Sequence, residues 1–406
     1  MHIVFLKRGQ FPGFDGNSRR VSLIGSGLAK NGCKVTVIVA YPLEVSKCND
    51  EYYNKNGFKY FHTIHEEDKE EPKLLKDIYF KIIGTLRVFN VFKSINKKNR
   101  VDIIFVFGIG FIELLVACIL AKLYKTKIVI DKCDTNYQFT GHHKQTLRRM
   151  LSGINIISAE IFIRNYIDIV FTVNSNLARM YNGKIKGKVK MIIPSLIDKQ
   201  EYDTIDKRDT LLSSSQSEFK LVCVAVTESH LYGVSPFLTA LSDLRKKYDF
   251  HLFILGSNNQ RYMEVLKVRL DENNLKEYVT VLSNIPQEMI PSVYVNADVL
   301  LFPQQAPETA DGGFPGKTAE YLMSGTPIIT TLFSDLDKYL KSGENCLVVS
   351  YGDIETYQSA LCSLFDSEYL RKSLGEAGKK TALNNFEYIK GTKKIIEDID
   401  EVFPRI

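Results

Sequence analysis

Short apolar segments alternate with longer amphipathic ones along the whole chain, and glycines or polar turns separate them. The apolar segments are rich in Val, Ile and Phe, which is typical of strands that are buried on both faces. The amphipathic segments repeat apolar residues every three or four positions, which predicts helices. This alternation predicts an α/β protein with doubly wound parallel sheets.

The pattern also gives approximate bounds for the elements. Predicted strands lie at 2–6, 35–40, 59–63, 103–107, 127–130, 169–173, 190–193, 220–225, 251–255, 279–282, 299–302 and 328–331. Predicted helices lie at 18–31, 73–97, 111–124, 158–166 and 262–273, with another from Pro236 onward. The polar stretch 198–217 has no apolar periodicity, and 406 residues are too many for one ordinary core. We therefore predict two domains that join near residue 200.

The longest apolar run, residues 103–121, approaches the length of a membrane-spanning helix. Glu113 lies inside this run, and Gly108 and Gly110 interrupt it. A strand, a glycine turn and a helix explain these features better than a transmembrane helix does.

Charge is distributed unevenly along the chain. Residues 1–200 contain 32 Lys and Arg against 17 Asp and Glu, and the remainder contains 21 against 30. The basic half is expected to meet an anionic partner, and no nucleic-acid motif accompanies it. Seven cysteines without metal-ligand spacing predict free thiols in a reducing compartment. Because Met1 leads directly into a predicted strand, we expect no secretory signal.

The most informative segment is residues 307–331. Gly312 and Gly313 form a turn, Pro315 suits a first helical position, and Gly325 ends the short helix. Lys317 at a helix start implies an anionic partner, because the helix dipole alone disfavours a cation there. Glu320 can accept hydrogen bonds from a sugar diol. A phosphate beside a ribose is what a nucleotide offers.

Residues 314–329 resemble the donor-binding segment of GT-B glycosyltransferases of the large retaining family four, which reads Phe-Pro-x-Lys-x-x-Glu-Tyr-x-x-x-Gly-x-Pro-Ile/Val-Ile. The resemblance implies that Glu320 holds the ribose and that the helix start receives the diphosphate. It makes Gly313, Phe314, Pro315 and Thr318 donor-binding residues and Lys317 catalytic. The family's second Glu, eight residues earlier, is replaced by Gly312. Asp311 or Glu308 supplies this carboxylate, or the role is dispensed with.

Weaker resemblances follow in the family's order at 17–38, 172–175, 192–198, 343–349 and 386–388. They imply the GT-B fold, with two Rossmann-like domains that face a cleft. In that fold a terminal helix crosses back to the first domain. The expected domains are therefore 1–200, completed by 386–406, and 201–385.

The loop 13–20 follows the first strand. Gly16 allows the backbone to approach a donor phosphate, and Arg19 and Arg20 can reach that phosphate or an acceptor. The alternative is a plain turn in which Ser18 caps the helix and both arginines are solvated.

The segment 227–233 follows the first strand of the second domain, where family members place an Arg and a Lys that are absent here. Lys317 and helix amides would then hold most of the phosphate charge. Thr227 contributes a hydrogen bond, or the segment is a simple polar loop. In the resembling fold, Gly256 and Pro286 lie in loops that surround the base.

Asp134 follows a strand of the first domain and is expected to position the acceptor or the transferred sugar; the alternative is a cap or a solvated loop. His142 and His143 lie beside lysine and arginine residues and indicate a basic surface. Asp335 and Asp337 are assigned to helix capping. No metal-ligand set is evident, and we predict no metal and no cofactor, the nucleotide sugar being a co-substrate.

The predicted helix 73–98 has one apolar face with basic flanks. It fits a helix on an anionic membrane and a domain helix with a snorkelling edge equally well. The combined hypothesis is a metal-independent, retaining hexosyl- or N-acetylhexosaminyltransferase of surface-polysaccharide assembly. It would be cytoplasmic or peripheral at the inner membrane face, with a lipid-linked glycan acceptor. The alternatives are a non-catalytic nucleotide-sugar-binding subunit and a GT-B epimerase.

Overall fold

The computed structural model describes residues 1–9, 11–13, 16–39, 52–53, 57–63, 73–108, 110–134, 147–205, 211–302 and 313–404. For residues 52–53, 73–83, 147–152 and Ser229, the description covers the backbone. The chain divides into two compact units, residues 1–194 with 388–406 and residues 195–387. The first boundary thus lies six residues before the expected one, at Pro194 rather than residue 200.

Each unit is built around one sheet. The strands are β1 (His2–Lys7), β2 (Lys34–Val39), β3 (Tyr52–Tyr53), β4 (Lys59–His62), β5 (Ile103–Phe107), β6 (Lys127–Lys132), β7 (Ile169–Thr172), β8 (Lys188–Met191), β9 (Phe219–Ala225), β10 (Phe250–Gly256), β11 (Val279–Leu282), β12 (Val299–Phe302), β13 (Ile328–Thr330) and β14 (Leu347–Val348). The helices are α1 (Gly16–Lys30), α2 (Lys73–Lys98), α3 (Phe111–Tyr124), α4 (Leu147–Tyr166), α5 (Ser175–Tyr181), α6 (Gln200–Asp203), α7 (Glu228–Leu244), α8 (Gln260–Glu272), α9 (Ile290–Val295), α10 (Thr318–Ser324), α11 (Ile354–Asp366), α12 (Glu368–Asn385) and α13 (Tyr388–Val402).

The first sheet has the order β3-β4-β2-β1-β5-β6-β7-β8, and its pairings are parallel except that of β3 with β4. Every residue of β1, β5 and β7 is buried, as the continuous apolar runs predict. The chain reverses direction across the sheet after β4. Right-handed crossovers therefore place α1 on one face and α2, α3 and α4 on the other. Side chains of these three helices form one core with the sheet.

The terminal helix α13 completes the first unit by packing on α1. Asn31 Nδ2 donates to the carbonyl oxygen of Ile389 at 2.9 Å and to Thr392 Oγ1 at 3.1 Å. Gly27 lets the helices approach, because a Cβ there would lie 2.8 Å from the carbonyl oxygen of Tyr388 and 2.7 Å from Thr392 Cγ2. The predicted return of the C-terminal helix to the first unit is thus confirmed.

The second sheet is parallel throughout, in the order β11-β10-β9-β12-β13-β14. The helix predicted from Pro236 begins eight residues earlier, at Glu228, and Pro236 lies inside it. Thr227 caps this helix, and buried Leu231 and Phe237 hold it against the sheet on both sides of the proline. Tertiary packing here outweighs the hydrogen bond that proline removes. The predicted fold class, two doubly wound α/β units, is confirmed.

Two further observations concern the chain as a whole. Helix α4 begins at Leu147 rather than at residue 158: Leu147, Met150, Leu151 and Ile154 already have helical spacing, and the predicted helix was too short. Among the helices in the described part of the chain, none is both long and apolar enough to cross a membrane.

Candidate functional site

Both sheets have a switch point, where strand order reverses and the carboxyl ends of two neighbouring strands lead to different faces. In the second unit this point lies between β9 and β12. The N-terminus of α7 follows β9, and the segment that leads into α10 precedes residue 318 at the same edge. Ligands of doubly wound sheets bind at such an edge, so the chemistry of the second unit is expected here.

The turn before α10 is held by hydrogen bonds within the second unit. Pro315 provides a carbonyl oxygen that accepts from the amide of Thr318 at 3.1 Å and from its hydroxyl at 2.8 Å. Ser195 Oγ donates to the carbonyl oxygen of Gly316 at 2.5 Å. The helix therefore starts at Thr318, with Lys317 as its N-cap, and not at Pro315 as the sequence predicted. Two bonds to one carbonyl oxygen favour a tight turn over an earlier helical start.

The two ends of this segment are fixed by different interactions. Gly325 closes α10 in the left-handed conformation with φ of 74°, as predicted. Phe314 packs edge-on against Tyr339 with ring centroids 5.6 Å apart and lies 6.2 Å from Phe386. Its ring is thus part of an aromatic group that anchors the turn. This contact gives Phe314 a positioning role beside the donor-binding role implied by the family resemblance.

Lys317 lies close to a histidine that the sequence did not single out. His230 stands in the first turn of α7, and its Nδ1 accepts from the backbone N–H of Thr227 at 3.3 Å and lies 2.9 Å from Thr227 Oγ1. Burial lowers the pKa of His230, and the positive charge of Lys317 lowers it further. A neutral ring whose Nδ1 accepts must carry its proton on Nε2. His230 therefore offers an Nε2–H donor beside the Lys317 cation.

Glu320 completes this group in the first turn of α10. Its side chain is half-buried, and its carbonyl oxygen accepts from the hydroxyl of Tyr202 at 3.3 Å. The second unit thus brings Thr227, His230, Lys317 and Glu320 to one edge. This set combines a cation, a neutral donor and a carboxylate. Of these residues, the sequence analysis missed only His230. The pattern that could have revealed it is a histidine three residues after a threonine that caps a helix.

Gly256 is the last residue of β10, and Pro286 follows β11 and is exposed. A Cβ at Gly256 would lie 2.6 Å from the hydroxyl oxygen of Tyr262. Tyr262 is 2% exposed, and its hydroxyl has no hydrogen-bond partner among the described residues. The absence of a side chain at Gly256 therefore makes room for the tyrosine. Gly313 is half-buried at the start of the turn before α10.

In the first unit, Arg20 occupies a buried clamp. Its Nε and Nη2 donate to the carboxylate of Asp131 at 2.6 and 3.2 Å. Nη1 donates to the carbonyl oxygens of Ile193 and Pro194 at 3.2 and 3.1 Å, and Nη2 also donates to Ile193 at 3.2 Å. All five N–H groups of Arg20 are thus used, and none is left for a phosphate or an acceptor. The prediction of a ligand role for Arg20 is replaced by a structural role, while Arg19 beside it is half-buried.

The clamp also alters the electrostatics of its members. The Asp131 carboxylate is fully buried and the Arg20 side chain is 11% exposed. Burial alone would lower the pKa of Arg20, but the negative charge of Asp131 more than offsets it and the pKa is raised. The arginine is therefore charged at every accessible pH.

The switch point of the first unit lies between β1 and β5, and an ion pair occupies it. Arg8 follows β1, and its Nε lies 3.6 Å from Glu113 Oε1 in the first turn of α3. A Cβ on Gly110 would lie 2.1 Å from Glu113 Oε2 and 2.7 Å from Arg8 Nη1, so a larger residue there would displace the ion pair. Sequence reasoning used Glu113 only to exclude a membrane span. The pattern that could have revealed this ion pair is an acidic residue in the first turn of an otherwise apolar helix.

The remaining first-unit candidates lie at the same carboxyl edge. Gly16 begins α1, and no heavy atom of the described residues lies within 4 Å of the position of a Cβ there. Asp134 is exposed as a residue, yet loss of solvent around its carboxyl raises its pKa, with Lys132 acting against that shift. Lys132 is itself buried and bonds Glu160 at 3.1 Å.

Some predictions lie outside the described residues: the replacement of the missing glutamate by Asp311 or Glu308, the role of Gly312, and the basic surface at His142 and His143. Asp335 lies inside the short helical turn Ser334–Lys338, whose N-cap is Phe333, so the predicted helix-capping role is wrong; its ion pair with Lys338 at 2.8 Å is a structural contact within the turn. Within the described ranges, no group of three His, Cys, Asp or Glu side chains is placed to hold a metal ion.

Comparison with known proteins agrees with this architecture. Residues 208–381 match the family model described as Glycosyl transferases group 1. An MMP alpha-(1->4)-mannosyltransferase of Mycolicibacterium hassiacum is 22% identical over 188 residues, which are 46% of this chain and 44% of that protein. A GDP-mannose-dependent alpha-(1-6)-phosphatidylinositol monomannoside mannosyltransferase of Mycolicibacterium smegmatis is 25% identical over 160 residues, 38% of this chain and 41% of that protein. The matched segments thus span less than half of either relative.

The whole chain is similar in fold to solved structures. Sucrose-phosphate synthase from Thermosynechococcus elongatus aligns with a TM-score of 0.71 and 15% identity over 99% of both chains. Identity this low shows the fold alone. The chain therefore has the GT-B glycosyltransferase fold, and its second unit carries the match to Glycosyl transferases group 1.

Proposed function

We propose that this protein transfers a hexose from a nucleotide-sugar donor to a lipid-linked glycan acceptor. The observation that carries the proposal is the group of Thr227, His230, Lys317 and Glu320 at the switch point of the second unit, inside the segment 208–381 that matches the family. Retention of configuration and independence of metal ions follow from the resemblance of residues 314–329 to the retaining family.

The donor diphosphate would bind where α7 and α10 begin. Lys317 supplies a positive charge and His230 an Nε2–H donor, in place of the Arg and Lys that family members have after the first strand of the second domain. Both stabilise the negative charge that develops on the leaving diphosphate as the glycosidic bond breaks. A neutral histidine adds this hydrogen bond without repelling Lys317. Glu320 accepts hydrogen bonds from the ribose hydroxyls.

The first unit would supply the acceptor side. Asp134 stands after β6 with a raised pKa, so its carboxyl can exchange a proton with a sugar hydroxyl closer to neutral pH than an ordinary aspartate. Arg19 remains a candidate for the acceptor or its phosphate. For the donor sugar, mannose is the first choice, because both curated relatives carry mannosyltransferase names.

A thermal-stability screen with nucleotide sugars tests the donor site. GDP-mannose, UDP-glucose, UDP-N-acetylglucosamine and ADP-glucose are compared on wild type, Glu320→Ala and the matched control Glu376→Ala, an exposed glutamate on α12. Ligand at about 100 times its dissociation constant should add about 2.7 kcal/mol to the free energy of unfolding. We expect one donor to stabilise wild type and the control but not Glu320→Ala.

Stabilisation of all three proteins alike would place the ribose elsewhere, and no stabilisation by any donor would contradict the donor site. Turnover is measured separately as release of free nucleotide. Release that depends on added acceptor supports transfer. Binding without any release, with membrane extract as acceptor source, would favour a non-catalytic binding subunit.

We also propose that the first unit lies on an anionic membrane, with the outer surface of α3 and α4 in contact. On α4, Ile154, Ile157 and Ile161 are 59%, 63% and 53% exposed and share one helical face. On α3, Ile119 and Leu123 are 40% and 65% exposed. An apolar surface of this kind marks an interaction site.

The charges around this surface favour a lipid partner over a second copy of the chain. The carboxylates of the two helices point elsewhere: Glu113 faces Arg8, and Glu160 bonds Lys132. Exposed Lys122 and Arg164 remain beside the apolar residues. A twofold dimer would bring these cations together, whereas anionic headgroups would neutralise them. For α2, the sequence left open a membrane contact and an ordinary domain helix. The side chains of its first eleven residues lie outside the described part of the chain.

Liposome flotation tests this surface. We expect wild type to float with vesicles of phosphatidylcholine and phosphatidylglycerol but not with phosphatidylcholine alone. Ile157→Asp should lose flotation, while Val268→Asp, a change at a 56% exposed residue of α8 in the second unit, should not. Equal flotation of both variants would contradict the assignment. A dimer that Ile157→Asp dissociates would instead assign the surface to self-association.

A further inference from the structure

Residues 195–203 open the second unit and carry two buried hydroxyl groups, those of Ser195 and Tyr202. The two residues are 3% and 6% exposed. Because burial removes these hydroxyls from water, each needs a hydrogen-bond partner within the protein. The partners of both lie in one place, at the start of α10.

Ser195 holds the peptide group in front of Lys317. Its Oγ donates at 2.5 Å to the carbonyl oxygen of Gly316, which shares a planar peptide group with the nitrogen of Lys317. The carbonyl oxygen of Lys317 accepts a helical bond from the amide of Tyr321 at 3.0 Å, and the Gly316 carbonyl lies one residue before that acceptor. Ser195 therefore sets the plane of the peptide that leads into Lys317.

Tyr202 holds the next turn in a similar way. Its hydroxyl donates at 3.3 Å to the carbonyl oxygen of Glu320, four residues after Gly316. Positions four residues apart lie on one face of a helix, so both hydroxyls contact the same face of this short segment. The side chains of Lys317 and Glu320 project from the backbone that the two bonds fix. The bond from Tyr202 is longer than an ordinary O–H···O bond, so its loss should matter less than the loss of the bond from Ser195.

The segment that carries the hydroxyls is itself fixed within the second unit. The amide of Ile197 donates to the carbonyl oxygen of Phe386 at 2.9 Å, and Ile197 is fully buried. Asp198 Oδ1 accepts from the amide of Gln200 at 3.0 Å, where α6 begins. The ring of Phe386 lies 6.2 Å from the ring of Phe314, in the turn before α10. Residues 195–203 are therefore a fixed support for that turn.

We propose that Ser195 and Tyr202 are positioning residues for the donor site. Ser195 acts through Lys317 on the diphosphate, and Tyr202 acts through Glu320 on the ribose. The inference rests on the proposed function, in which Lys317 contacts the diphosphate and Glu320 the ribose. It adds that a segment outside the motif 314–329 supplies the precise placement that these contacts need.

Isothermal titration of the full chain separates the two roles. The probes are the nucleoside diphosphate that the donor screen selects, GDP or UDP, and its 2′,3′-dideoxy form, which lacks the ribose hydroxyls. In Ser195→Ala, both probes should bind about tenfold more weakly, as after the loss of one charge-assisted bond, and the preference for the ribose hydroxyls should remain. In Tyr202→Phe, that preference should fall about threefold, the lower end of the effect of one hydrogen bond.

A loss of folded protein does not produce the same results. It weakens both probes by one factor, so it leaves the preference in Tyr202→Phe unchanged. For Ser195→Ala, the discriminating background is Lys317→Met. If the hydroxyl acts through Lys317, its removal in this background should weaken the diphosphate by less than about twofold, within the accuracy to which independent effects add.

The matched controls remove hydroxyls from the same unit at the other end of α7 and beyond it. Ser242 Oγ donates to the carbonyl oxygen of Asn273 at 2.7 Å, and the hydroxyl of Tyr248 donates to Asp366 at 2.8 Å. Ser242→Ala and Tyr248→Phe should bind both probes like wild type.

The outcomes distinguish this inference from the proposed function. Wild-type affinities in Ser195→Ala with an unchanged preference in Tyr202→Phe overturn the inference and leave the donor site intact. A tenfold loss that persists in the Lys317→Met background also overturns it. If Glu320→Ala keeps the preference for the ribose hydroxyls, or if wild type binds neither diphosphate, the proposed donor site is wrong and the inference falls with it.

Discussion

Replacement of Arg20 by methionine separates a structural role for this residue from a ligand-binding one. Methionine keeps much of the side-chain length and removes the charge and all five donors. The Asp131 carboxylate, which is fully buried, would then lose its cation. The carbonyl oxygens of Ile193 and Pro194, just before the boundary with the second unit, would lose their donors as well.

The expected cost follows from these contacts. Removal of one partner of a buried ion pair typically costs about 3–5 kcal/mol, chiefly because it leaves an uncompensated buried charge. Arg20→Lys keeps the charge but offers three donors instead of five, and should cost about 1–3 kcal/mol. In the double variant Arg20→Met/Asp131→Asn the buried charge is absent. It should therefore be more stable than Arg20→Met, with a coupling of about 1–3 kcal/mol.

Urea unfolding followed by far-UV circular dichroism measures these differences, because the chain contains no tryptophan. Two units need not unfold in one transition, so the comparison uses the transition that Arg20→Met shifts. Arg100→Met, a change at an exposed arginine of the same unit, is the matched control and should cost less than about 0.5 kcal/mol. Wild-type stability of Arg20→Met together with lost donor or acceptor binding would refute the clamp and restore the ligand role.

Two further predictions concern the first unit. Gly27→Ala should destabilise the protein by about 1–3 kcal/mol, because its Cβ would press on α13. Gly153→Ala, whose new Cβ has no described atom within 4 Å, should stabilise α4 by about 0.5–1 kcal/mol. Thermal unfolding compares the two variants, and equal effects would contradict the close approach of α1 and α13. The pKa of His2 is lowered from 6.5, by burial first and then by Lys34, so the unfolded chain binds the proton more readily. Its contribution to stability is therefore complete above about pH 6.5 and declines as the pH falls toward the lowered folded pKa. His2→Gln should flatten the fall in urea midpoint between about pH 7.5 and pH 5.5, and an unchanged slope would contradict a buried neutral His2.

The fold was predictable wherever a single local signal determined an element. Residues 103–107 and 111–124 were predicted with the observed bounds, because a glycine turn divides one long apolar run there into a segment of strand length and a segment of helix length. The starts of α7 and α10 were not, because proline is compatible with a first helical position, with a turn and, under sufficient packing, with a helix interior. Pro236 lies in a helix interior, and Pro315 lies in a turn.

The candidate site was predictable only in part, for a related reason. Lys317 and Glu320 lie three residues apart in one motif, and the sequence displays them together. The partner of Arg20 is 111 residues away, so the sequence shows a cation beside a glycine loop but not the carboxylate that engages it. Arg8 and Glu113 are likewise distant in sequence. Such pairs become visible only when the strand order is known.

The return of α13 to the first unit has a consequence for how the chain folds during synthesis. The first unit consists of residues 1–194 and 388–406, so it cannot be completed until the intervening 193 residues, 195–387, have been made. At about 5–20 residues per second this takes about 10–40 s. Throughout that time the surface of α1 that α13 covers is exposed on the nascent chain. The second unit, continuous in sequence, can fold first, so the order of folding on the ribosome is expected to be the reverse of the order in sequence.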